Sequence, residues 1–554
     1  MVVRMPSFRL PDAARTRLRR ALRGAGATVT GLAAVAALGG LAVLGDDHAR
    51  AWTGGEAAAD DAASRAVAVS PAESALVCPP PVKLPKGTDV GDEQFQAAPV
   101  ATVARLGAVV VDGSHREPRT TVLDGSGVEE LEIGSAAAVA QADVTRPRVV
   151  RATPSDEPLR AAGSLASVTT AGDLRGLAVG RCAEPATSHW LVAGSTEVGA
   201  SALLTVQNPS RRPATISLEA FGPSGRLALG GRASFAVGAE AQRVVRLESV
   251  APDQRRLAVH VEAAGARVVA SLQEQAIEGL VPTGVDVVTP GAGPGKSFAV
   301  SGVLSAGEAL DDPHAPRLRL LAPGESAGTA RLDVYGPSGP VTLRGAQTVT
   351  LEPGVVTDVP LGGLPAGAYT VVVDADVPVV GAGRFDRRGE APEAGVVDAP
   401  PYDVAWSTAQ VLDSPDAPTS AAPLGQVAFP TGVRSAVTLA ALPVERGPDA
   451  DPVGTATVTV RALGTDGREI GSTETELEAG TPVRLDLAEL GDGEQPAAVS
   501  VDVVGGDALP VAWSADVVAD DGTQAPGTLV AALTPTRPAA ATDAVQVRRV
   551  DAGG

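Results

Sequence analysis

The segment nearest to a known chemical motif is Pro290–Ser297, PGAGPGKS, where Gly-Lys-Ser matches the end of a phosphate-binding loop. In such a loop four residues separate the first glycine from the Gly-Lys pair, but Pro290 occupies the glycine position. Pro294 also lacks the backbone N–H that would donate to a phosphate. A helix should follow the loop, yet the next residues, FAVSGVLS, alternate like a strand. We therefore predict a Gly-Pro linker around Lys296, with no nucleotide partner.

Other reactive side chains lack the spacing that catalysis or metal binding requires. Gly194–Ser201, GSTEVGAS, has alanine in place of the loop lysine, and the sequence has no HExxH or GxSxG motif. Asp311 and Asp312 fit no EF-hand loop. We therefore predict no catalytic residue, no metal and no cofactor, and a protein that is not an enzyme. The alternatives are a spatially assembled Ser-His-Asp triad, as in an envelope hydrolase, and weak calcium binding at Asp311 and Asp312.

Tryptophans are the candidates for a binding surface, because glycan-binding sandwiches usually present exposed aromatic rings. Trp190 and Trp406 lie near predicted domain edges and are the possible ligand-facing aromatics. Trp513 lies within a strand-like run and is predicted to be core. Burial of Trp190 and Trp406 is the alternative, since aromatic side chains contribute strongly to cores.

The N-terminus differs sharply in charge from the rest of the chain. Its first 23 residues hold seven arginines and one aspartate, a net charge of +6, so the remainder carries −26. Such an acidic body repels nucleic-acid phosphates, and we predict no nucleic-acid partner. The uncharged segment Gly24–Gly45 would span about 33 Å as a helix, enough to cross a bilayer with the basic side in the cytoplasm. We predict a single-pass signal anchor in the cell membrane with an extracellular body; cleavage after Ala51 and secretion is the alternative.

Cys78 and Cys182 are the two cysteines of the chain, and both follow the predicted anchor. Exported chains meet an oxidising environment, where a cysteine pair usually bonds. We therefore predict a disulfide between them, with two buried free thiols as the alternative.

Three internal repeats show the alternation of apolar and polar residues that is typical of a half-buried strand. In each repeat the alternating run ends in a large apolar residue and a turn, with spacings of 114 and 128 residues between successive copies. The runs are Ala214–Gly225, Thr329–Gly339 and Thr455–Gly467, and the large residues are Phe221, Tyr335 and Leu463.

These features predict an all-β fold: tandem immunoglobulin-like or fibronectin-like β-sandwiches after one N-terminal transmembrane helix. The predicted divisions are a basic cytoplasmic segment (1–23), the anchor (24–45), a flexible tether (46–75), a β-rich N-terminal domain (76–185), sandwich repeats at 186–290, 298–400 and 425–536, and a disordered tail (537–554).

Cys182–Gly225 resembles an uncharacterised family of exported, membrane-anchored, β-rich proteins from high-GC Gram-positive bacteria. The matching features are C-x-x-P at Cys182–Pro185, W-x-x-x-G-x-T at Trp190–Thr196 and L-x-x-x-N-P at Leu204–Pro209. The resemblance covers most of Leu76–Thr536. It implies an envelope location, and it supplies no catalytic residues to transfer.

Together these observations predict a non-catalytic structural or interaction protein of the cell envelope, whose rigid modules hold a distal surface away from the membrane. Its predicted partner is an envelope protein or a cell-wall glycan. A wall-glycan-binding module is the main alternative, and an envelope hydrolase the second.

Overall fold

The computed structural model describes residues 64–69, 73–84, 100–111, 115–154, 158–343, 345, 347–391, 399–412, 423–447, 450–539 and 543–548. The basic segment 1–23 and the predicted anchor 24–45 lie outside these residues. Within them, no helix has the length and apolar character needed to cross a bilayer.

The first described strand is β1 (Ser64–Val69), and the next nine form a two-sheet package that we call sandwich N. Its sheets have the orders β2-β8-β4-β5 and β10-β9-β3-β7-β6. Leu76 and Val150 of the first sheet share a core with Leu106 and Leu165 of the second. The strands are β2 (Ser74–Val77), β3 (Val103–Val111), β4 (His115–Val122), β5 (Glu129–Glu130), β6 (Glu132–Ile133), β7 (Ala137–Asp143), β8 (Arg148–Pro154), β9 (Ala161–Thr169) and β10 (Gly176–Arg181).

Sandwich 1 is the first sequence repeat. Its strands are β11 (Ser188–Leu191), β12 (Ala200–Asn208), β13 (Ala214–Gly222), β14 (Gly225–Arg226), β15 (Ser234–Val237), β16 (Ala241–Arg246), β17 (Ala258–Ala264), β18 (Val269–Glu278) and β19 (Val281–Val288), with short 3-10 helices at Gly230–Arg232 and Leu247–Ser249. One sheet has the order β11-β17-β13-β14, with β15 beside β13, and the other the order β16-β12-β18-β19. Ile216 and Leu218 from the first sheet pack with Leu204 and Leu272 from the second.

Sandwich 2 repeats this plan with one long strand. Its strands are β20 (Gly295–Ser305), β21 (Arg317–Leu321), β22 (Gly328–Gly336), β23 (Gly339–Val341), β24 (Thr348–Leu351), β25 (Thr357–Pro360), β26 (Gly367–Arg388), β27 (Tyr402–Thr408) and β28 (Gln410–Val411). The first half of β26 pairs with β20 and β22, and its second half pairs with β21 and β27. One strand therefore does in sandwich 2 what β17 and β18 do in sandwich 1.

Two sequence-based boundaries of this repeat need correction. Strand β20 begins at Gly295, so the last residues of the predicted Gly-Pro linker already pair with β26. Strands β27 and β28 belong to the sheets of sandwich 2 but follow the predicted end at residue 400. Gly293 and Pro294 before β20, and Pro400 and Pro401 before β27, are typical of linkers, and they led to boundaries placed inside the repeat.

Sandwich 3 is the last repeat. Its elements are β29 (Pro423–Ala428), β30 (Arg434–Ala441), β31 (Thr455–Leu463), β32 (Glu469–Glu478), β33 (Val483–Asp486), α1 (Leu487–Leu490), β34 (Ala498–Gly506), β35 (Val511–Ala519) and β36 (Leu529–Leu533). The sheet orders are β29-β34-β31-β32 and β33-β30-β35-β36. In β13, β22 and β31 the buried positions alternate as the sequence predicts, because alternate side chains of a strand point to opposite faces.

Strand β37 (Asp543–Arg548) pairs antiparallel with β1, from Ser64 opposite Arg548 to Val69 opposite Asp543. The two strands belong to one compact unit, and the residues between Pro71 and Ala541 belong to another. The predictions of a flexible tether (46–75) and a disordered tail (537–554) are therefore wrong for Ser64–Val69 and Asp543–Arg548, which form paired strands. SRAVAV and DAVQVR both alternate, but their alanine-rich surroundings obscured this short signal.

The four sandwiches are one compact unit, not separate modules in a string. Sandwich N contacts sandwich 3 directly: Ser164 donates to the carbonyl of Ala428 at 2.6 Å, and Arg160 pairs with Asp502 at 2.7 Å. A Cβ on Gly107 would come within 2.5 Å of the Phe429 carbonyl carbon. The first and last sandwiches thus close a ring, which corrects the expectation of an extended spacer.

The centre of this ring is formed by β10, β19, β27 and β36, which we call the axial strands. Each is the edge strand of one sandwich. Strand β19 lies against β10 and β27, and β36 also lies against β10 and β27. An exposed sheet edge invites pairing with another chain, and here each of these four edges is covered by its neighbours.

Candidate functional site

The predicted disulfide is present: Cys78 and Cys182 are bonded, and both are fully buried. Cys78 follows β2 and Cys182 follows β10, so the bond joins the two sheets of sandwich N. The amide of Cys182 also donates to the carbonyl of Gly163 at 2.7 Å. Together these bonds fix the end of the axial strand β10.

Trp190 is not a surface aromatic, which corrects one sequence-based candidate. It is 7% exposed and stacks on His260 with ring centroids 4.3 Å apart. The ring nitrogens of His260 bond to Glu219 at 3.1 Å and to Ser188 at 2.9 Å. The ring lies inside the core of sandwich 1, where stacking and burial stabilise it, so it presents no flat face to a sugar.

Trp406 is also buried, at 3% exposed. Its indole Nε1 donates to Glu274 at 2.9 Å, and the guanidinium of Arg319 lies 4.9 Å from its ring centroid. Trp406 belongs to β27 and Glu274 to β18, so the ring joins sandwich 2 to sandwich 1. Its position near a domain edge was identified correctly, but that edge is an internal interface. Trp513, at 1% exposed, is core as predicted.

A buried carboxylate lies between the axial strands. Asp403, on β27, is completely buried. Its Oδ2 accepts the backbone N–H of Leu177 on β10 at 2.9 Å and that of Val530 on β36 at 2.8 Å. Its Oδ1 accepts the N–H of Val285 on β19 at 3.4 Å. One side chain therefore satisfies edge donors from three other sandwiches.

Two further carboxylates, Asp286 and Glu274, join Asp403 in what we call the carboxylate hub. Asp286, on β19, accepts the backbone N–H of Trp406 at 2.8 Å. Glu274 accepts from the indole of Trp406 and, at 2.8 Å, from the amide of Gly194. The axial strands are thus joined through acidic side chains. Neighbouring edge strands would otherwise be joined by backbone-to-backbone hydrogen bonds.

Burial dominates the electrostatics of the hub. It raises the pKa of Asp403 to about 7, although the amides of Val530 and Leu177 favour the charged form. Burial likewise raises the pKa of Asp286 well above its ordinary range, against the amide of Trp406. Both carboxyl groups are inaccessible to a substrate. They hold the sandwiches together, and Asp403 titrates near neutral pH.

Glycines allow the axial strands to approach this closely. A Cβ on Gly284 of β19 would lie 2.5 Å from the backbone nitrogen of Val404, and the residue has φ +116°. A Cβ on Gly176 would lie 2.4 Å from Oδ1 of Asp403. Larger residues at either position would separate the strands that share the hub.

An ion pair closes the ring beside the N-terminal ends of the axial strands. Arg175, just before β10, pairs with Asp521 of sandwich 3 at 2.5 Å, and both side chains are buried. Its Nη1 also donates to the carbonyl of Tyr402 at 3.3 Å. Although burial opposes it, hydrogen bonds from Thr523 and Arg175 lower the pKa of Asp521, so this carboxylate stays ionised at neutral pH.

The arrangement closest to catalytic chemistry is a histidine–aspartate pair in a separate cavity of about 420 Å³. His314 Nδ1 lies 2.8 Å from Asp386, and the ring of Tyr402 stacks on the imidazole. Ser305 lines the same cavity, but its hydroxyl bonds to Glu308 at 2.8 Å and the Leu364 carbonyl at 3.0 Å. These bonds do not arrange Ser305 as a nucleophile activated by His314.

The remaining sequence candidates are ordinary structural residues. Lys296 is an exposed residue of β20, and Gly194 lies in the loop before β12, as predicted. Asp312 accepts the backbone N–H of His314 at 2.8 Å, which is a turn interaction. Within the described residues, no group of three or more metal-ligating side chains comes together.

Sequence reasoning missed the carboxylate hub, although a signal was present. Asp286 and Asp403 stand in VDVV and YDVAW, where an acid interrupts a strongly apolar strand. A charged residue in a buried strand needs partners, and the corresponding positions of the repeats could have been compared. Their partners, however, lie more than a hundred residues away.

A family of unknown function, DUF5719, matches residues 138–488 of the chain. No curated protein matches it significantly. Among solved structures, the BSP domain of a biofilm-associated protein aligns with 84% of this chain and 96% of its own, at 8% identity and a TM-score of 0.13. The α-L-rhamnosidase of Streptomyces avermitilis aligns with 79% of this chain and 54% of its own, at 12% identity and a TM-score of 0.09. Neither score indicates a shared fold.

Proposed function

The chain belongs to the DUF5719 family of unknown function, and we propose that it is a non-catalytic structural or interaction protein of the bacterial cell envelope. The observation that carries the proposal is the closed ring of four sandwiches, whose internal edges are satisfied by Asp403 and Asp286. Such a body is a rigid platform, with the carboxylates of its axis committed to cohesion. Its outer surface is then the part that meets a partner.

The proposed location is outside the cytoplasmic membrane, in a high-GC Gram-positive bacterium. Support comes from the arginine-rich N-terminus, the uncharged segment Gly24–Gly45 that follows it, and the bonded pair Cys78–Cys182. Disulfides persist in oxidising compartments. We propose a single-pass anchor, with secretion after cleavage as the alternative.

Sandwiches 1 and 3 each pack two antiparallel sheets around one core, and in sandwich 2 the long β26 joins the strands into one nine-stranded sheet. Two packed antiparallel sheets are the architecture of immunoglobulin- and fibronectin-like domains. We propose that class for the three repeats. An envelope protein is the favoured partner, because burial of Trp190 and Trp406 removes the aromatic surface on which glycan binding depended.

Labelling of intact cells with a membrane-impermeant amine reagent tests the location. The chain has three lysines, and the side chains of Lys83 and Lys296 are exposed, so labelling is almost site-specific. We expect modification of Lys296 without lysis, and its loss in Lys296→Arg. Labelling that appears only after lysis would refute an extracellular body.

Crosslinking on intact cells and sedimentation with purified cell-wall sacculi separate the two kinds of partner. A protein partner predicts discrete crosslinked products and no sedimentation with sacculi. Saturable sedimentation that survives moderate salt would instead establish a wall-binding protein. Neither crosslinked products nor sedimentation would argue against an interaction role.

A further inference from the structure

A cavity of about 400 Å³ opens where the carboxyl ends of all four axial strands meet. Arg181 ends β10, Pro290 follows β19, Ala409 follows β27 and Thr534 follows β36. We call it the axial pocket. Its volume falls within the range of small-molecule sites, and four sandwiches contribute to its wall.

The axial pocket contains Arg181, a guanidinium whose hydrogen bonds are only partly satisfied. Arg181 donates through Nη2 to the Pro290 carbonyl at 2.5 Å, but its Nε is buried with no hydrogen-bond partner. A buried donor without an acceptor is costly. The hydroxyls of Thr408 and Thr534 lie 3.1 Å apart in the same region, and Thr534 lines the wall.

The charges of the lining favour an anion. Arg181 and Arg537 are the cations and Glu184 is the acid. His189 contributes no charge at neutral pH, because burial lowers its pKa. Desolvation also lowers the pKa of Arg181, against the attraction of Glu184, so the protein does not fully compensate this cation.

The supports of Arg181 are rigid. The next residue, Cys182, is fixed by the disulfide and by its amide bond to Gly163. Arg537 donates through Nη2 to the Val411 carbonyl at 2.7 Å. A preorganised guanidinium binds oxyanions in a defined geometry.

We infer that the axial pocket binds a small organic anion, with a carboxylate or phosphate group seated on Arg181. This goes beyond the proposed function and holds wherever the protein resides. The shared chemistry is an oxyanion that accepts from Arg181. Fork-like guanidinium recognition suits both groups.

Calorimetric titration of the full chain with glycerol 3-phosphate, succinate and uncharged glycerol tests the inference at constant ionic strength. We expect one or both anions to bind with one site per chain, and glycerol not to bind. The anion that binds identifies the group recognised. Absence of binding by both anions would overturn the inference.

Variants test whether the site is the axial pocket. Arg181→Gln should weaken anion binding by about tenfold or more, and Arg537→Gln by a smaller factor. Arg181→Lys, which keeps the charge, should retain part of the affinity. The control Arg468→Gln removes an exposed arginine elsewhere and should change nothing. Equal affinity in Arg181→Gln and the wild type would refute the assignment.

A local measurement guards against misfolding of the Arg181 variants. Addition of the binding anion should shift the NMR amide signals of Ala409 and Thr534 in the wild type and in Arg468→Gln. Shifts confined to residues distant from the axial strands would contradict the proposed location.

Discussion

Asp403→Ala is the sharpest test of the closed ring. The substitution removes the acceptor for two short backbone hydrogen bonds, from Leu177 at 2.9 Å and Val530 at 2.8 Å. Each buried N–H left without an acceptor costs about 1–3 kcal/mol, so we expect a loss of about 2–6 kcal/mol in the free energy of unfolding. The donors belong to different sandwiches, so the loss should appear as loosening between them.

Asp403→Asn is the matched control, because its amide oxygen can keep both short bonds while the side chain no longer titrates. In the wild type the pKa of Asp403 is about 7, against 3.8 for an unperturbed aspartate. At pH values between these two pKa values, Asp403 keeps its proton in the folded protein but has lost it in the unfolded chain. Stability from this group is therefore greatest at low pH and falls as pH rises to about 7.

The difference between 3.8 and about 7 corresponds to about 4 kcal/mol. We therefore expect the wild type to lose about 4 kcal/mol relative to Asp403→Asn between pH 4 and pH 8. Denaturant unfolding at a series of pH values measures this difference. The titration of other groups largely cancels, because it is shared by the wild type and Asp403→Asn. Hydrogen exchange at Leu177 and Val530 reports the local opening in Asp403→Ala.

Two results would refute this reasoning. One is an Asp403→Ala protein with the wild-type unfolding midpoint and slow exchange at both amides. The other is a wild-type–Asn difference that stays constant from pH 4 to pH 8.

The remaining predictions address the other contacts that close the ring. Gly284→Ala should lower the thermal unfolding midpoint strongly, because its Cβ would meet the main chain of β27, whereas Gly293→Ala, with open space around it, should not. Cys78→Ser should cost about 4–5 kcal/mol, since the disulfide closes a long loop; an unchanged midpoint under oxidising conditions would show that the bond contributes nothing. Arg175→Ala should cost about 3–5 kcal/mol by leaving Asp521 charged and buried, and a double replacement by apolar residues should recover much of that loss in denaturant unfolding.

The strands of the repeats were predictable because their signal is local. Ile216, Leu332 and Val458 alternate with polar neighbours, and the structure buries all three. The disulfide was predictable from cysteine count and compartment chemistry. The pairing of β1 with β37 was missed because six alternating residues carry little information in alanine-rich surroundings.

The candidate site was less predictable. A tryptophan near a domain edge has the same sequence signature whether that edge faces solvent or another domain. Trp406 is buried because Glu274 accepts its indole N–H and Arg319 covers its ring. The sequence shows Asp403 as an unusual acid in an apolar strand. It does not identify the backbone N–H groups that donate to this side chain.

The amino-acid sequence by itself determined the all-β class, the phase of the repeated strands and the chemistry of the cysteine pair, because each depends on residue type and short-range spacing. The tertiary structure alone decided that the four sandwiches form a ring and that Asp403 lies at its axis. Its bonds to Leu177 and Val530 join residues 226 and 127 positions apart. Such contacts depend on how edge strands of separate sheets meet. The alternation of apolar and polar residues along one strand does not encode this.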